Sequence, residues 1–215
     1  MDAVKQGFLL LQEHNGFFLA DVVGLGKTVI ATVIAKKYRI HNGFPKYLSK
    51  TLIIVPPRLK LGWKKTLKDF DIRDFDIISC GSLHKVEDPD QYDLVIVDEA
   101  HKFRNKDSLG YDALQKICKT PTRKRLSDGT RARKRVILIS ATPLNNRPSD
   151  IGHLLMLFQD GRDSTLGIAN LDRYFKRKDK AFQKALRDLT GNDSKDAVKA
   201  LYGEIRRNVI EPLTV

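Results

Sequence analysis

The chain has 215 residues, of which 41% are hydrophobic and 30% charged, a balance that is typical of a soluble globular protein. Its formal net charge of +13 is unusual for an enzyme of small metabolites and favours a polyanionic partner, with nucleic acid as the first candidate. The alternative, which composition leaves open, is that the excess of Lys and Arg only keeps the protein soluble.

Cysteine spacing and the length of apolar runs exclude further classes of protein. Cys80 and Cys118 lie far apart with no CxxC motif or His at metal-ligand spacing, so no disulfide or zinc framework is expected. No apolar run approaches the ~20 residues that a membrane span needs, and the N-terminus lacks the layout of a secretory signal. We therefore expect no membrane partner and a cytoplasmic or nucleoid-associated location, or a nuclear one in a eukaryote.

Strand and helix patterns alternate along residues 1–149. After a helix at residues 2–13, a strand at 17–20 leads into a helix that runs to about Ile40. Apolar, β-branched runs predict further strands at 51–55, 77–78, 94–97 and 136–139, and apolar residues at helical spacing predict a helix at 59–70. Continuous apolar strands that alternate with helices indicate an α/β fold, a mostly parallel sheet covered by helices on both faces.

The pattern changes after about Ser149, where only helices are predicted. We interpret residues 150–215 as a small helical lobe packed on, or projecting from, the sheet domain of residues 1–149. The segment from Lys119 to Arg135 is dense in basic residues and is predicted to be an exposed loop. A solvated loop is the favoured interpretation there and a nucleic-acid contact the alternative, because a charge run by itself specifies no geometry.

A phosphate cradle is predicted between the strand at 17–20 and the helix after it. Glycines let the backbone turn so that successive N–H groups point at one place, and the helix N-terminus adds partial positive charge there. Lys27 would reach the β- and γ-phosphates, and the Thr28 hydroxyl would help hold Mg²⁺. The predicted nucleotide-binding residues are Gly24, Leu25, Gly26, Lys27 and Thr28. A glycine-rich turn that merely connects two buried elements is the alternative.

An acidic pair, Asp98 and Glu99, follows the apolar strand at 94–97. Ligand sites of open α/β sheets lie at the carboxyl ends of strands, so this pair can meet the phosphate cradle. Asp98 is suited to holding Mg²⁺ opposite Thr28. Glu99 is suited to polarising an attacking water, because a carboxylate can accept its proton. A pair of solvated loop acids is the alternative if the motif is taken alone.

The sequence Ser140-Ala141-Thr142-Pro143 ends the next apolar strand, so its hydroxyl groups are expected at the same edge. They could form hydrogen bonds to the acidic loop, with His101 as a natural partner. An ordinary turn or helix cap is the alternative for this tetrapeptide. Trp63 is interpreted as a core residue rather than a platform for base stacking.

The ordered set of motifs resembles the first, RecA-like motor lobe of superfamily-two helicases. These motifs are Gly-Leu-Gly-Lys-Thr at 24–28, Ile-Val-Pro-Pro with Trp63 downstream, Asp-Glu-Ala-His at 98–101 and Ser-Ala-Thr-Pro at 140–143. Asp-Glu-Ala-His-Lys-Phe-Arg-Asn at 98–105 and Thr-Pro-Leu-Asn-Asn at 142–146 are similar to the Swi/Snf-type DNA translocase branch. The resemblance covers residues 2–158 strongly and the helical tail weakly.

This resemblance implies an ATP hydrolase of the P-loop NTPase fold that is stimulated by nucleic acid. Lys27, Asp98 and Glu99 would be its catalytic residues, and Thr28 and Asp98 its Mg²⁺ ligands. His101, Ser140 and Thr142 would couple the nucleotide to nucleic-acid contact, and Pro57 and Arg58 would lie near the backbone of a nucleic acid, expected to be double-stranded DNA. An exposed residue at a strand end is the alternative for Arg58.

The family also implies a second RecA-like lobe, which the chain does not contain. We therefore expect a fragment that binds ATP weakly and hydrolyses it slowly by itself. A P-loop kinase or metabolic ATPase acting on a small molecule is the alternative enzyme, although it leaves the Ser-Ala-Thr-Pro motif unexplained. A basic nucleic-acid-binding module without enzymatic activity is a third interpretation, and it predicts DNA binding that is indifferent to Lys27→Ala.

Overall fold

Five short strands form one sheet in the computed structural model, which describes residues 3–20, 26–140, 147–187 and 192–215. Their spatial order is β1-β5-β4-β2-β3, and every neighbouring pair is parallel. The fold class and the predicted strand positions are confirmed. The strands are β1 (Gly16–Leu19), β2 (Thr51–Val55), β3 (Phe75–Ser79), β4 (Leu94–Asp98) and β5 (Arg135–Ile139).

Along the described residues, one α-helix precedes the first strand, α-helices connect all successive strands except β3 and β4, and three follow the last strand. They are α1 (Ala3–His14), α2 (Lys27–His41), α3 (Lys60–Asp69), α4 (Leu109–Lys119), α5 (Pro148–Leu155), α6 (Leu171–Arg187) and α7 (Asn192–Ile205). Short 3-10 helices lie at Pro57–Leu59, Cys80–Lys85, Pro89–Gln91 and Ala100–Phe103, and a π-helical turn at Arg206–Ile210 follows α7. Within the described ranges, no helix combines the length and the apolar character needed to cross a bilayer.

Helices cover the sheet on both faces, as predicted. Because successive side chains of a strand point to opposite faces, each continuous apolar strand supplies two cores. One core joins Phe17, Ile53, Ile96 and Ile137 to α1, α2 and α3. The other joins strand residues to the later helices; its members include Phe18, Leu52, Val97, Leu138, Leu114, Leu154, Leu171, Phe175, Ile205 and Val209.

Only part of the C-terminal helical segment packs on the core: the first turns of α6 and the end of α7 contribute buried residues, whereas residues 176–187 contain no buried side chain. A Cβ added to Gly152 of α5 would lie 2.7 Å from Cγ of Phe175 in α6, so glycine permits this close approach. The last residues then run along the free edge of β1, where Val215 N donates to the Phe18 carbonyl (3.0 Å) and Ala20 N donates to the Val215 carbonyl (3.0 Å). The division of the chain at residue 150 stays a prediction.

The basic segment before β5 is a short hairpin with a bridge between Arg125 and Arg131. Its charges are largely used within the protein. Arg123 and Arg131 both pair with Asp90, and Arg133 pairs with Asp160. Most of this basic run therefore serves local structure.

Candidate nucleotide-binding site

The predicted site residues follow the carboxyl ends of neighbouring strands. Gly26 and Lys27 come after β1, Ser140 after β5, and Asp98 and Glu99 at the end of β4. In the sheet order, β5 lies between β1 and β4, and Asp98 is in register with Ile139, which in turn is in register with Leu19. The topology therefore brings the cradle and the acidic pair to one edge of the sheet, as expected for ligand sites of this architecture.

Gly26 and the first turn of α2 form the described part of the cradle. Gly26 has φ 69° and ψ 34°, the left-handed conformation that residues with a Cβ rarely adopt. Among the described residues no side chain caps the N-terminus of α2, and its first turn contains no acidic residue. This leaves the positive end of the helix suited to an external anion. Gly24 and Leu25, also predicted here, lie outside the described residues.

Asp98 is the most firmly held polar group of the site. Its Oδ2 accepts a hydrogen bond from Trp63 Nε1 (2.8 Å), and its Oδ1 accepts one from the backbone N–H of Glu99 (2.9 Å). Burial raises the pKa of Asp98 above its ordinary value, while the Trp63 hydrogen bond and the positive charge of Lys27 act in the opposite direction. The positive charge of Lys27 thus acts on Asp98 from the same edge of the sheet.

Glu99 takes a different conformation from its neighbour. Its backbone is left-handed (φ 55°, ψ 46°), uncommon for a residue other than glycine. Its half-buried carboxylate has Oε1 3.5 Å from Nη2 of Arg58 and Oε2 3.4 Å from Nδ1 of His101. Such strained backbone is typical of functional sites. The contact with Arg58 links Glu99 to the 3-10 helix that follows β2.

The remaining predicted residues are distributed along the same edge. Pro57 and Arg58 lie in the exposed 3-10 helix that follows β2. Ser140 is buried, and its Oγ has no hydrogen-bond partner among the described residues, so the expected bond to the acidic loop is not seen there. His101 lies near Glu99 instead. Thr142 lies outside the described residues.

Trp63 is the site residue whose polar role the sequence did not reveal. It is 1% exposed, which confirms its predicted place in the core. Its indole N–H nevertheless reaches the Asp98 carboxylate, 35 residues along the chain. A buried indole usually finds an acceptor for its N–H, and this rule was the available signal. Nothing in the sequence pattern said which acceptor it would be.

Proteins similar to this chain include an ATP-dependent helicase, which is consistent with a nucleotide-binding site. The chain is 31% identical over 172 residues to an uncharacterized ATP-dependent helicase, YqhH, of Bacillus subtilis; the match covers 71% of this chain and 28% of that protein. It is 27% identical to the "SWI/SNF-related matrix-associated actin-dependent regulator of chromatin subfamily A-like protein 1 homolog" of Caenorhabditis elegans, over 68% of this chain and 22% of that protein. The chain thus spans less than a third of these relatives. No protein-family profile matches it.

A solved structure shares the fold. The Sulfolobus solfataricus SWI2/SNF2 ATPase core, solved in complex with double-stranded DNA, superposes with a TM-score of 0.62 over 99% of this chain and 42% of that one, at 18% identity. The order of the motifs, the topology of the parallel sheet and these relatives all indicate the same family. The chain belongs to the Swi/Snf-type branch of the superfamily-two helicase-like ATPases and has the fold of a RecA-like lobe.

Proposed function

We propose that this chain is the ATP-binding lobe of an ATP-dependent DNA translocase. The observation that carries the proposal is that the strand order and register bring Lys27, at the start of α2, and the buried Asp98 carboxylate, at the end of β4, to the same edge of the sheet. A cation at a helix N-terminus opposite a fixed carboxylate suits a magnesium-bound triphosphate. The names of the relatives, helicases and SWI/SNF-related regulators, support the motor over a small-molecule kinase.

Each residue has a distinct role in this proposal. The amides of residues 24–28 and the Lys27 ammonium bind phosphate oxygens. Thr28 and Asp98 would hold Mg²⁺, which neutralises developing charge on the phosphates when it is bound. The donor set fits, because Asp98 is fixed by one hydrogen bond on each oxygen and each oxygen keeps a further lone pair. No cluster of three or more His, Cys, Asp or Glu side chains that could hold a metal ion occurs among the described residues.

Glu99 orients the attacking water and accepts its proton. Its contacts to Arg58 and His101 connect this step to the loop after β2. We propose that Pro57 and Arg58 lie near the DNA backbone and that His101, Ser140 and Thr142 transmit contact with DNA to Glu99. The partner is expected to be double-stranded DNA, with which the Sulfolobus ATPase core was solved, and the location to be cytoplasmic, nucleoid-associated or nuclear.

Efficient hydrolysis needs charge stabilisation from both sides of the phosphates. We therefore propose that a second RecA-like lobe completes the site in the whole protein. This lobe by itself should bind nucleotide weakly and turn it over slowly. Strong DNA-stimulated hydrolysis by the chain alone would contradict this part of the proposal.

Nucleotide affinity tests the proposal at Lys27. Titration with a fluorescent ATP analogue in the presence of Mg²⁺ should give saturable binding, and Lys27→Ala should weaken it about tenfold or more, because a charged hydrogen bond contributes about 1.5–3 kcal/mol. Lys46→Ala, at an exposed position beyond the end of α2, removes the same charge and should leave the affinity unchanged. Equal losses in the two variants, or no binding by the parent chain, would overturn it.

A further inference from the structure

The helix α6 has one face in the core and a basic face in solvent. Leu171, Tyr174 and Phe175 are buried in the core that covers the sheet. The other side carries a basic stripe of exposed Arg and Lys side chains. The basic stripe consists of Arg173, Lys176, Arg177, Lys180, Lys184 and Arg187.

The spacing of the basic stripe makes it continuous. Its members follow one another at intervals of three, one, three, four and three residues, so all of them fall within an arc of about 100° at 3.6 residues per turn. From Arg173 to Arg187 the stripe is about 21 Å long at 1.5 Å per residue. No acidic residue of α6 falls within this arc. Asp172 and Asp179 lie to one side of it.

The charges of the basic stripe have no acidic partners within the part of the chain that the structure describes. None of its side chains forms an ion pair there, whereas Lys178, on another side of the same helix, pairs with Glu204 of α7. Asp179 accepts a hydrogen bond from Ser149 Oγ (3.0 Å). The hairpin before β5 offers a contrast, since its arginines are engaged by Asp90 and Asp160. The basic stripe is therefore a concentration of charge that internal pairing leaves over in the described part of the chain.

The direction of α6 takes the basic stripe toward the nucleotide edge of the sheet. Ser149, at the start of α5, contacts Asp179 of α6, and α5 follows the carboxyl end of β5. Asp179 therefore lies near the carboxyl edge of the sheet. The two helices are antiparallel, because Gly152 approaches Phe175 on the next turns. The end of α6 consequently continues past the start of α5, toward the carboxyl edge where the site lies. This part of the helix carries Lys180, Lys184 and Arg187.

We propose that the basic stripe of α6 is a second contact surface for duplex nucleic acid, separate from the motif residues after β2 and β4. Duplex DNA carries one phosphate charge per about 1.7 Å of its axis, so a straight row of cations about 21 Å long can face several phosphates at once. Contacts of this kind hold the backbone and carry no sequence preference. The surface would secure the lobe on DNA independently of the nucleotide.

An anionic membrane is the other polyanion that a basic helix can bind. Interfacial helices insert an apolar face between lipids. In the first turns of α6 that face is occupied, because Leu171, Tyr174 and Phe175 are buried in the core. Leu186, near the end of the helix, is 39% exposed, but it lies outside the arc of the basic stripe, which presents only charged side chains. This favours the phosphate backbone of a nucleic acid.

Fluorescence anisotropy with a labelled duplex of about 20 base pairs tests the proposal, without nucleotide and at several salt concentrations from about 50 to 200 mM. The stripe variant carries Lys180→Gln, Lys184→Gln and Arg187→Gln. Its affinity should fall about tenfold or more, and the magnitude of its log–log salt slope should fall by about two to three, since each lost phosphate contact removes about 0.9. Circular dichroism should be unchanged because the replaced side chains are exposed.

A matched variant with Lys5→Gln, Lys46→Gln and Lys116→Gln removes the same charge at scattered, exposed positions. It should keep its affinity within about twofold and most of its salt slope. Equal losses in both variants would mean that only net charge matters and would overturn the proposal, as would an unchanged stripe variant. Equal binding of the parent chain to phosphatidylserine vesicles would overturn the choice of nucleic acid. Nucleotide binding by the stripe variant should persist, so this surface can fail while the nucleotide site stands.

Discussion

At the residue scale, the site depends on how Asp98 is held. A carboxylate that must bind a metal needs a fixed orientation, and here each oxygen accepts one hydrogen bond, from Trp63 or from the Glu99 backbone. Burial makes the charged form costly, as the raised pKa of Asp98 indicates, and the indole N–H and Lys27 offset part of that cost. Trp63 thus acts as a positioning residue for Asp98.

Replacing Trp63 by Phe should separate this role from packing. Trp63→Phe keeps an aromatic ring in the core and removes the N–H donor, so the Mg²⁺ concentration needed for half-maximal binding of a fluorescent ATP analogue should rise about tenfold, from the loss of a hydrogen bond to a charged group. The free energy of unfolding should fall by about 1–3 kcal/mol from imperfect packing.

Leu67→Ala on the same helix is the control for packing, because Leu67 is as buried as Trp63 and belongs to the same core. It should cost about 2–5 kcal/mol of stability and leave the Mg²⁺ dependence of folded protein unchanged. If the two variants shifted the Mg²⁺ dependence alike, Trp63 would be a packing residue only.

At the element scale, glycines decide how closely helices approach. Gly152 lies where a Cβ would contact the Phe175 ring at 2.7 Å, whereas a Cβ at Gly62 of α3 would meet nothing within 4 Å. The two residues have the same identity and both lie within helices. They therefore form a natural pair for testing the packing of α5 against α6.

Alanine at these positions should have opposite effects. Gly152→Ala should lower the free energy of unfolding by about 1–3 kcal/mol, because the ring of Phe175 or the helix must move. Gly62→Ala should raise it by about 0.5–1 kcal/mol through helix propensity alone. Urea denaturation followed by circular dichroism measures both. A stabilising Gly152→Ala would show that α6 does not pack tightly on α5.

The elements themselves were predictable, and their long-range contacts were not. Apolar β-branched runs such as 51–55 predict buried strands because few other environments accept them. By contrast, the order β1-β5-β4-β2-β3 is a property of pairing between distant segments, and local pattern carries no information about it. The bond from Trp63 to Asp98 escaped prediction for the same reason. The basic spacing of α6 was visible in the sequence, but the absence of acidic partners for it among the described residues was not.

At the scale of the whole molecule, one sheet edge collects the groups that we propose bind nucleotide, while positive charge extends beyond it along α6. The cradle follows the edge strand β1, the acid follows β4 in the interior of the sheet, and α2 and α3 position Lys27 and Trp63 from one face. Helices of the other face carry the basic stripe. On these two proposals, nucleotide binding and attachment to the DNA backbone take place on different parts of the fold.

The most direct test of the shared magnesium-nucleotide site is a double-mutant cycle on Lys27 and Asp98, read as the dissociation constant of a Mg²⁺-bound fluorescent ATP analogue for the parent chain, Lys27→Ala, Asp98→Asn and the double variant. Groups that share one ligand couple, so the two losses should fall short of additivity by about 0.5–3 kcal/mol. Losses that add within about 0.5 kcal/mol would mean that Lys27 and Asp98 act at separate places, and the proposed site would be wrong.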